Sequence, residues 1–251
     1  MRRIAGIVCV VALLAAISPV RADDDAKARA IIAKALKAHG GADTLNKLKA
    51  SVLKTKGKFY GMGEGIDYSG ETSVQLPDRI RTDVEGKVGD QDFKFVQIVN
   101  GDKGWRKLGE NLEDMTKEQL AEAREQMYVQ GVVHLAPLMD KSYKLSALGE
   151  VKIGDRPCVG LRVEHKGFRA VSLFFDKDNG LLLKSETRGK DLMREGEEFT
   201  ATTTYGDYKK VDGIMAAHKI DIQRDGKKFV ESEVTEGKFS EKLDDSVFAK
   251  P

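Results

Sequence analysis

Cysteine is nearly absent from this sequence: its 251 residues include two, Cys9 and Cys158. Cys9 lies in an apolar N-terminal run that reads as a removable leader, so Cys158 stands alone and an intramolecular disulfide is excluded. Packing must hold the fold, and Cys158 reads as a small buried strand residue. Histidine is scarce as well. His39, His134, His165 and His218 show no H-E-x-x-H or other ligand spacing, so no metal site is expected. His218 reads as a core histidine on an apolar strand, and His39 as an imidazolium favoured at a helix C-terminus. No G-x-S-x-G elbow occurs. Gly61-Met62-Gly63-Glu64-Gly65 lacks phosphate-loop spacing and leads into a strand. The neighbouring carboxylates of Glu197-Glu198 and Asp244-Asp245 point to opposite faces of an extended chain, which suits solvation better than a catalytic dyad. The sequence therefore carries no motif for catalysis, and no cofactor is implied. Excess charge of one sign is missing too, with 42 basic against 40 acidic residues. That excludes the basic footprint of a nucleic-acid binder.

One apolar run exists. Arg2 and Arg3 precede Ile4 to Ile17, and Ser18-Pro19-Val20-Arg21-Ala22 closes it with small residues at −3 and −1. This is the pattern of a cleavable signal peptide over residues 1–22. The run is short for a membrane span and Asp23-Asp24-Asp25 follows at once, so no transmembrane segment is expected after cleavage. The leader holds three of the 42 basic residues; 39 then face 40 acidic ones, a formal charge of −1. With no low-complexity linker and no repeat, residues 23–251 read as one domain, and a monomer is expected.

Periodicity divides the remainder. Ala28, Ile31, Ile32, Ala35 and Leu36 recur at helical spacing over 26–38, and His39-Gly40-Gly41 ends that helix. The period then changes to two. Leu53, Thr55, Gly57 and Phe59 alternate with Lys54, Lys56 and Lys58, a strand with one solvated basic face. Further strands are expected near 66–76, 80–84 and 93–99, with Trp105 and Leu108 ending this half. Thr116-Lys117-Glu118-Gln119 is a capping box. It opens a helical insertion near 116–139, expected as two pieces, 117–130 and 132–139, broken by Gly131 and Pro137. Seven more strands follow, near 143–152, 157–165, 168–176, 181–188, 197–207, 213–223 and 228–239. Asp178-Asn179-Gly180, Asp212-Gly213 and Asp225-Gly226 mark turns. The fold class is mainly β with α: an antiparallel meander of about eleven strands, too large to lie flat. It should curl into a barrel or part of one, with helices on the concave side.

A curved sheet with mixed large and small inner residues can leave a ligand cavity. The large candidates are Phe59, Phe93, Phe95, Trp105, Phe199 and Tyr205; Gly57, Ala201, Thr203 and Ala216 are the small ones. Met127, Tyr128, Leu135 and Leu138 on the helical insertion would either line that cavity as an adaptable lid or fill it.

The order of elements resembles a known superfamily. The stretch Tyr205-Gly206-Asp207-Tyr208-Lys209-Lys210-Val211-Asp212-Gly213-Ile214 runs into Ala217-His218-Lys219-Ile220. The chain closes Leu243-Asp244-Asp245-Ser246-Val247-Phe248-Ala249-Lys250-Pro251. This is similar to the periplasmic lipoprotein carriers LolA and LolB and their outer-membrane lipoprotein-sorting relatives, although Ala217 stands where many of them carry proline. The resemblance implies a half-open barrel of about eleven strands closed by helices, with a cavity for acyl chains, in the periplasm. A lipid, an acyl chain or a lipoprotein would be the partner. No lipidated cysteine remains in the mature chain, unlike the membrane-anchored acceptor. Two other readings stay open: a scaffolding or protein-binding module with a filled barrel, and an enzyme built on an unrecognised site around His165 or His218.

Overall fold

Alternation of polar and apolar residues makes most of the strands, and the described residues hold thirteen. A computed structural model describes residues 20–192 and 194–251. The strands are β1 (Ala50–Phe59), β2 (Ile66–Gln75), β3 (Arg79–Val88), β4 (Gln91–Asn100), β5 (Lys103–Leu108), β6 (Asn111–Asp114), β7 (Lys144–Ile153), β8 (Arg156–Glu164), β9 (Val171–Asp176), β10 (Leu182–Asp191), β11 (Glu197–Val211), β12 (Ile214–Arg224) and β13 (Lys227–Ser240). All belong to one antiparallel sheet in the order β6-β5-β4-β3-β2-β1-β13-β12-β11-β10-β9-β8-β7. Two meanders thus meet where β1 pairs with β13.

The expected eleven strands become thirteen because β5 and β6 continue the first meander beyond Asn100. Both are short, and the Asn111–Asp114 strand has one apolar residue, so periodicity does not mark it. The sheet is not closed: β6 and β7 are unpaired edges at opposite ends of the strand order. The β6 edge is protected by its chemistry. Strand β6 is four residues long with Asn, Glu and Asp, and β7 changes register between Ala147 and Gly149.

Helix α1 (Val20–Ala38) buries Ala28, Ile32, Ala35 and Leu36, four of the five residues of the predicted helical stripe. The expected cleavage point after Ala22 falls in its first turn, while residues 1–19 of the expected signal peptide lie outside the described residues. Helix α2 (Ala42–Lys47) adds Leu45. Helix α3 (Lys117–His134) starts at the predicted capping box, with Thr116 and Gln119 bonded reciprocally. It runs on through Gly131. The break comes at Leu135, fully buried at φ 70°, a conformation leucine rarely adopts and that its packing must enforce. A 3-10 turn at Ala136–Met139, with Pro137 in its first two positions, follows.

His39 departs from its expected state. Its Nδ1 donates to the Ala35 carbonyl at 2.8 Å, and its Nε2 accepts the Leu182 amide at 3.4 Å. An acceptor nitrogen must be unprotonated, and burial holds the group below its usual value, so the ring is neutral despite the helix terminus.

Two apolar cores form on opposite faces of the sheet. The larger lies between the helices and strands β7 to β10, with Leu161, Val163, Val171, Leu173 and Phe175 at its base. The smaller gathers Val96, Ile98 and Phe248, with Trp105, Leu243 and Val247 against them. Phe248, in the 3-10 turn Asp245–Phe248, is buried completely. Arg79 pairs with Asp245 at 2.6 Å, and the Asn100 amide donates to the Phe248 carbonyl at 3.3 Å, so the closing segment is clasped to the outer face.

Candidate functional site

Directly paired residues of an antiparallel sheet share a face. Register therefore assigns the inner face strand by strand. Phe59 pairs with Ile66 and Val230, and Leu53 with Thr72 and Gly237. Thr72 pairs with Thr82 and Val84 with Phe95; Gly86 pairs with Phe93. Beyond them Phe95 pairs with Leu108 and Gln97 with Arg106. In the other direction, Val230 pairs with Ile222, Ile222 with Thr203 and Ile220 with Tyr205. Ser185 pairs with Thr203 and with Leu173, which carries the same face into the large core.

Helix α3 crosses this face and ties its two ends together. Arg124 donates to the Gly101 carbonyl at 3.0 Å in the β4–β5 turn. Leu120 and Met115 lie over Gly104 of β5, where a Cβ would come within 2.5 Å of the Met115 sulfur. On the other side Arg169 grips Glu122 with two bonds of 2.9 and 2.7 Å. The Lys190 amide donates to Glu122 at 3.0 Å, and the Arg169 amide to Glu125 at 3.1 Å. Burial opposes ionisation of Glu122, but Arg169 and the Lys190 amide outweigh it and keep the carboxyl below its ordinary range. One helix can touch β4–β5 and β9–β10 together only if the sheet between them curls. The inner face is therefore concave.

The concave face is unevenly covered. From β7 to β10 the helices seal it. Across β1 to β5 and β11 to β13, Leu53, Phe59, Ile66, Val74, Ile80, Val84, Phe93, Phe95, Ile220, Ile222 and Val230 are only partly buried. These side chains form an apolar wall that solvent reaches. The predicted residues sort accordingly. Phe59, Phe93, Phe95, Phe199 and Tyr205 all stand on this face. Met127, Tyr128, Leu135 and Leu138 are buried beneath the helices, and the last three belong to the large core. Trp105 is the exception: it pairs with Ile98 and packs beside Phe248 on the outer face. Its strand was not recognised in the sequence, so its face could not be read.

Aromatic rings and cations decorate the wall. Phe59 meets Phe229 edge-on at 5.1 Å. Phe199 lies across Gly189 of β10, where a Cβ would meet its ring at 2.5 Å. The Arg224 guanidinium sits 3.6 Å from the Phe229 ring centre and 4.2 Å from that of Phe199. Arg106 lies 5.3 Å from Phe95, and its buried Nε has no hydrogen-bond partner. Tyr205 bonds to Ser185 at 3.0 Å, and burial pushes its hydroxyl pKa up. Tyr68 bonds to Ser232. The arginines escaped the sequence reading because alternation marks apolar residues and passes over cations on the same face.

Beside α3, Tyr128 stacks on Phe168 at 4.4 Å, and Tyr143 packs on His165 at 4.7 Å. Cys158 is buried, with burial raising its thiol pKa. Among the described residues no group of three or more His, Cys, Asp or Glu is placed to hold a metal ion. Among them, too, no helix is long and apolar enough to cross a membrane.

No protein-family model matches the chain, and no curated protein matches it. Solved structures do. A DUF1329 family protein from Desulfovibrio piger superposes with a TM-score of 0.58 at 13% identity, covering 88% of this chain and 97% of that one. A putative outer membrane lipoprotein-sorting protein domain from Vibrio parahaemolyticus gives 0.57 at 14% identity, covering 90% and 98%. A LolA superfamily protein from Nitrosomonas europaea gives 0.56 at 13% identity, covering 89% and 97%. The chain has a LolA-like fold.

Proposed function

We propose that this protein is a non-catalytic carrier that binds a lipophilic ligand, an acyl chain, lipid or lipoprotein, against the open part of its concave face. The observation that carries the reading is the partly exposed apolar wall of β1 to β5 and β11 to β13, on the same face that the helices seal over β7 to β10. Burying such a wall in water-free contact is favourable by about 25 cal/mol per Å². Similarity in fold to a lipoprotein-sorting domain and a LolA superfamily protein supports the same cargo class. The signal-like leader supports export, and the carrier would work in the periplasm as a monomeric domain of residues 23–251. Native mass spectrometry of protein purified from the periplasm, with organic extraction, tests the reading. A co-purifying lipid or acylated peptide is the expected result. A clean apo mass, with no later uptake of a fluorescent fatty acid, contradicts it.

One observation favours a second reading. Leu148 and Val151 are exposed on the unpaired edge strand β7. An envelope protein could add a strand there, making the chain a scaffolding module. Retention of lipid uptake by a Leu148→Lys, Val151→Lys variant separates the two sites.

A further inference from the structure

We propose that Arg224 is an anion seat at the edge of the apolar wall, so that the preferred ligand is an amphiphile with an anionic head. This rests on the carrier reading above and specifies its ligand class. Three observations converge. Arg224 pairs with Ala201, which pairs with Thr187, placing it on the concave face with Phe199 and Ile222. Its guanidinium is flanked by Phe229 and Phe199 at 3.6 and 4.2 Å, so a permanent charge is set into an apolar surface. Among the described residues its guanidinium bonds through Nη1, to Asp191 at 3.4 Å, while 30% of the side chain is exposed. Nε and Nη2 have no hydrogen bond among the described residues and remain as donors.

The charges around Arg224 are shared among several partners. Asp191 faces two cations, Arg224 at 3.4 Å and Arg194 at 4.0 Å. Glu197, opposite Asp191 in the register, is exposed, and Glu122 on α3 is engaged by Arg169. A carboxylate or phosphate delivered by a ligand would take the unused fork of Arg224 in charge-assisted hydrogen bonds. Its chain would then lie along Phe59, Ile222 and Val230. Burial that presses against the guanidinium charge fits a site awaiting a counter-ion.

The test is displacement of N-phenyl-1-naphthylamine by palmitate, methyl palmitate and hexadecyl phosphate, for the wild type and for Arg224→Gln and Arg224→Lys. The expected result is that the wild type prefers palmitate to its methyl ester by about tenfold, the scale of one charge-assisted contact. Arg224→Gln abolishes that preference without weakening the ester, and Arg224→Lys keeps part of it. Hexadecyl phosphate bound more tightly than palmitate assigns the seat to phosphate-headed lipids; the reverse assigns it to fatty acids. Equal binding of acid and ester by the wild type overturns the seat and leaves the carrier intact. Equal weakening of both ligands in Arg224→Gln also overturns it, because Arg224 would then merely brace the phenylalanines. Binding of neither ligand overturns the carrier reading and the seat with it.

Discussion

Two strips of one sheet face carry similar apolar alternation and end in different states. On β7 to β10, Leu161, Val163, Val171 and Leu173 are completely buried under α1 and α3. On β1 to β5 and β11 to β13, Leu53, Val84, Ile220 and Ile222 are partly exposed. Alternation decides which side chains face inward; the helices decide whether facing inward means burial. Since apolar area removed from water stabilises in proportion, the sealed strip supports the fold more than the open strip does.

Substitutions break this comparison in order of size. Phe248→Ala empties the small outer core and should cost about 3–5 kcal/mol, read as a lower urea midpoint, with probe uptake unchanged per folded molecule. Unaltered stability would mean that the closing segment does not clasp β4 and β5. Leu173→Ala in the sealed strip should cost about 2–5 kcal/mol. Its counterpart Ile222→Ala should cost on the order of 1 kcal/mol and lower probe uptake instead. Equal destabilisation of the pair by urea would erase the distinction between strips. Glu122→Ala removes both bonds to Arg169 and the one from Lys190. It should cost about 1.5–3 kcal/mol and loosen α3, seen as faster hydrogen exchange along 117–134.

Acid supplies the gentlest test. His39 and His134 are both held below the ordinary 6.5, first by burial. His134 donates from Nε2 to the Leu48 carbonyl at 2.9 Å, and its buried Nδ1 has no partner to take a proton toward. The unfolded chain therefore takes up protons near 6.5 that the folded chain refuses. Stability is intact above that value and falls as pH drops below it. Calorimetry should show Tm declining between about pH 7 and pH 5, and less steeply in His134→Gln, which can still donate to Leu48. A profile identical in both proteins would remove His134 from the account.

Much of the architecture was legible as period. The lysine face of β1, the capping box of α3 and the inward set Phe199, Ala201, Thr203 and Tyr205 all follow from local spacing. What escaped depended on distant contacts. Strands β5 and β6 are short and charged, and only their pairing with β4 defines them. Trp105 went to the outer face because Phe248, far away in sequence, waits there. Helix α3 passes Gly131, since tertiary packing overrides a residue's intrinsic preference, and breaks at Leu135, which no propensity marks. Ile220 shows the general limit: its face could be read, but its depth depends on what the rest of the chain lays over it.

The most direct test of the open wall is paramagnetic broadening by a spin-labelled stearate, read on the methyl groups of isotopically labelled protein. The account predicts broadening of Ile80, Val84, Ile220 and Ile222, with Leu161, Val171 and Leu173 unaffected. Broadening confined to the second set, or none at saturating ligand, would contradict it.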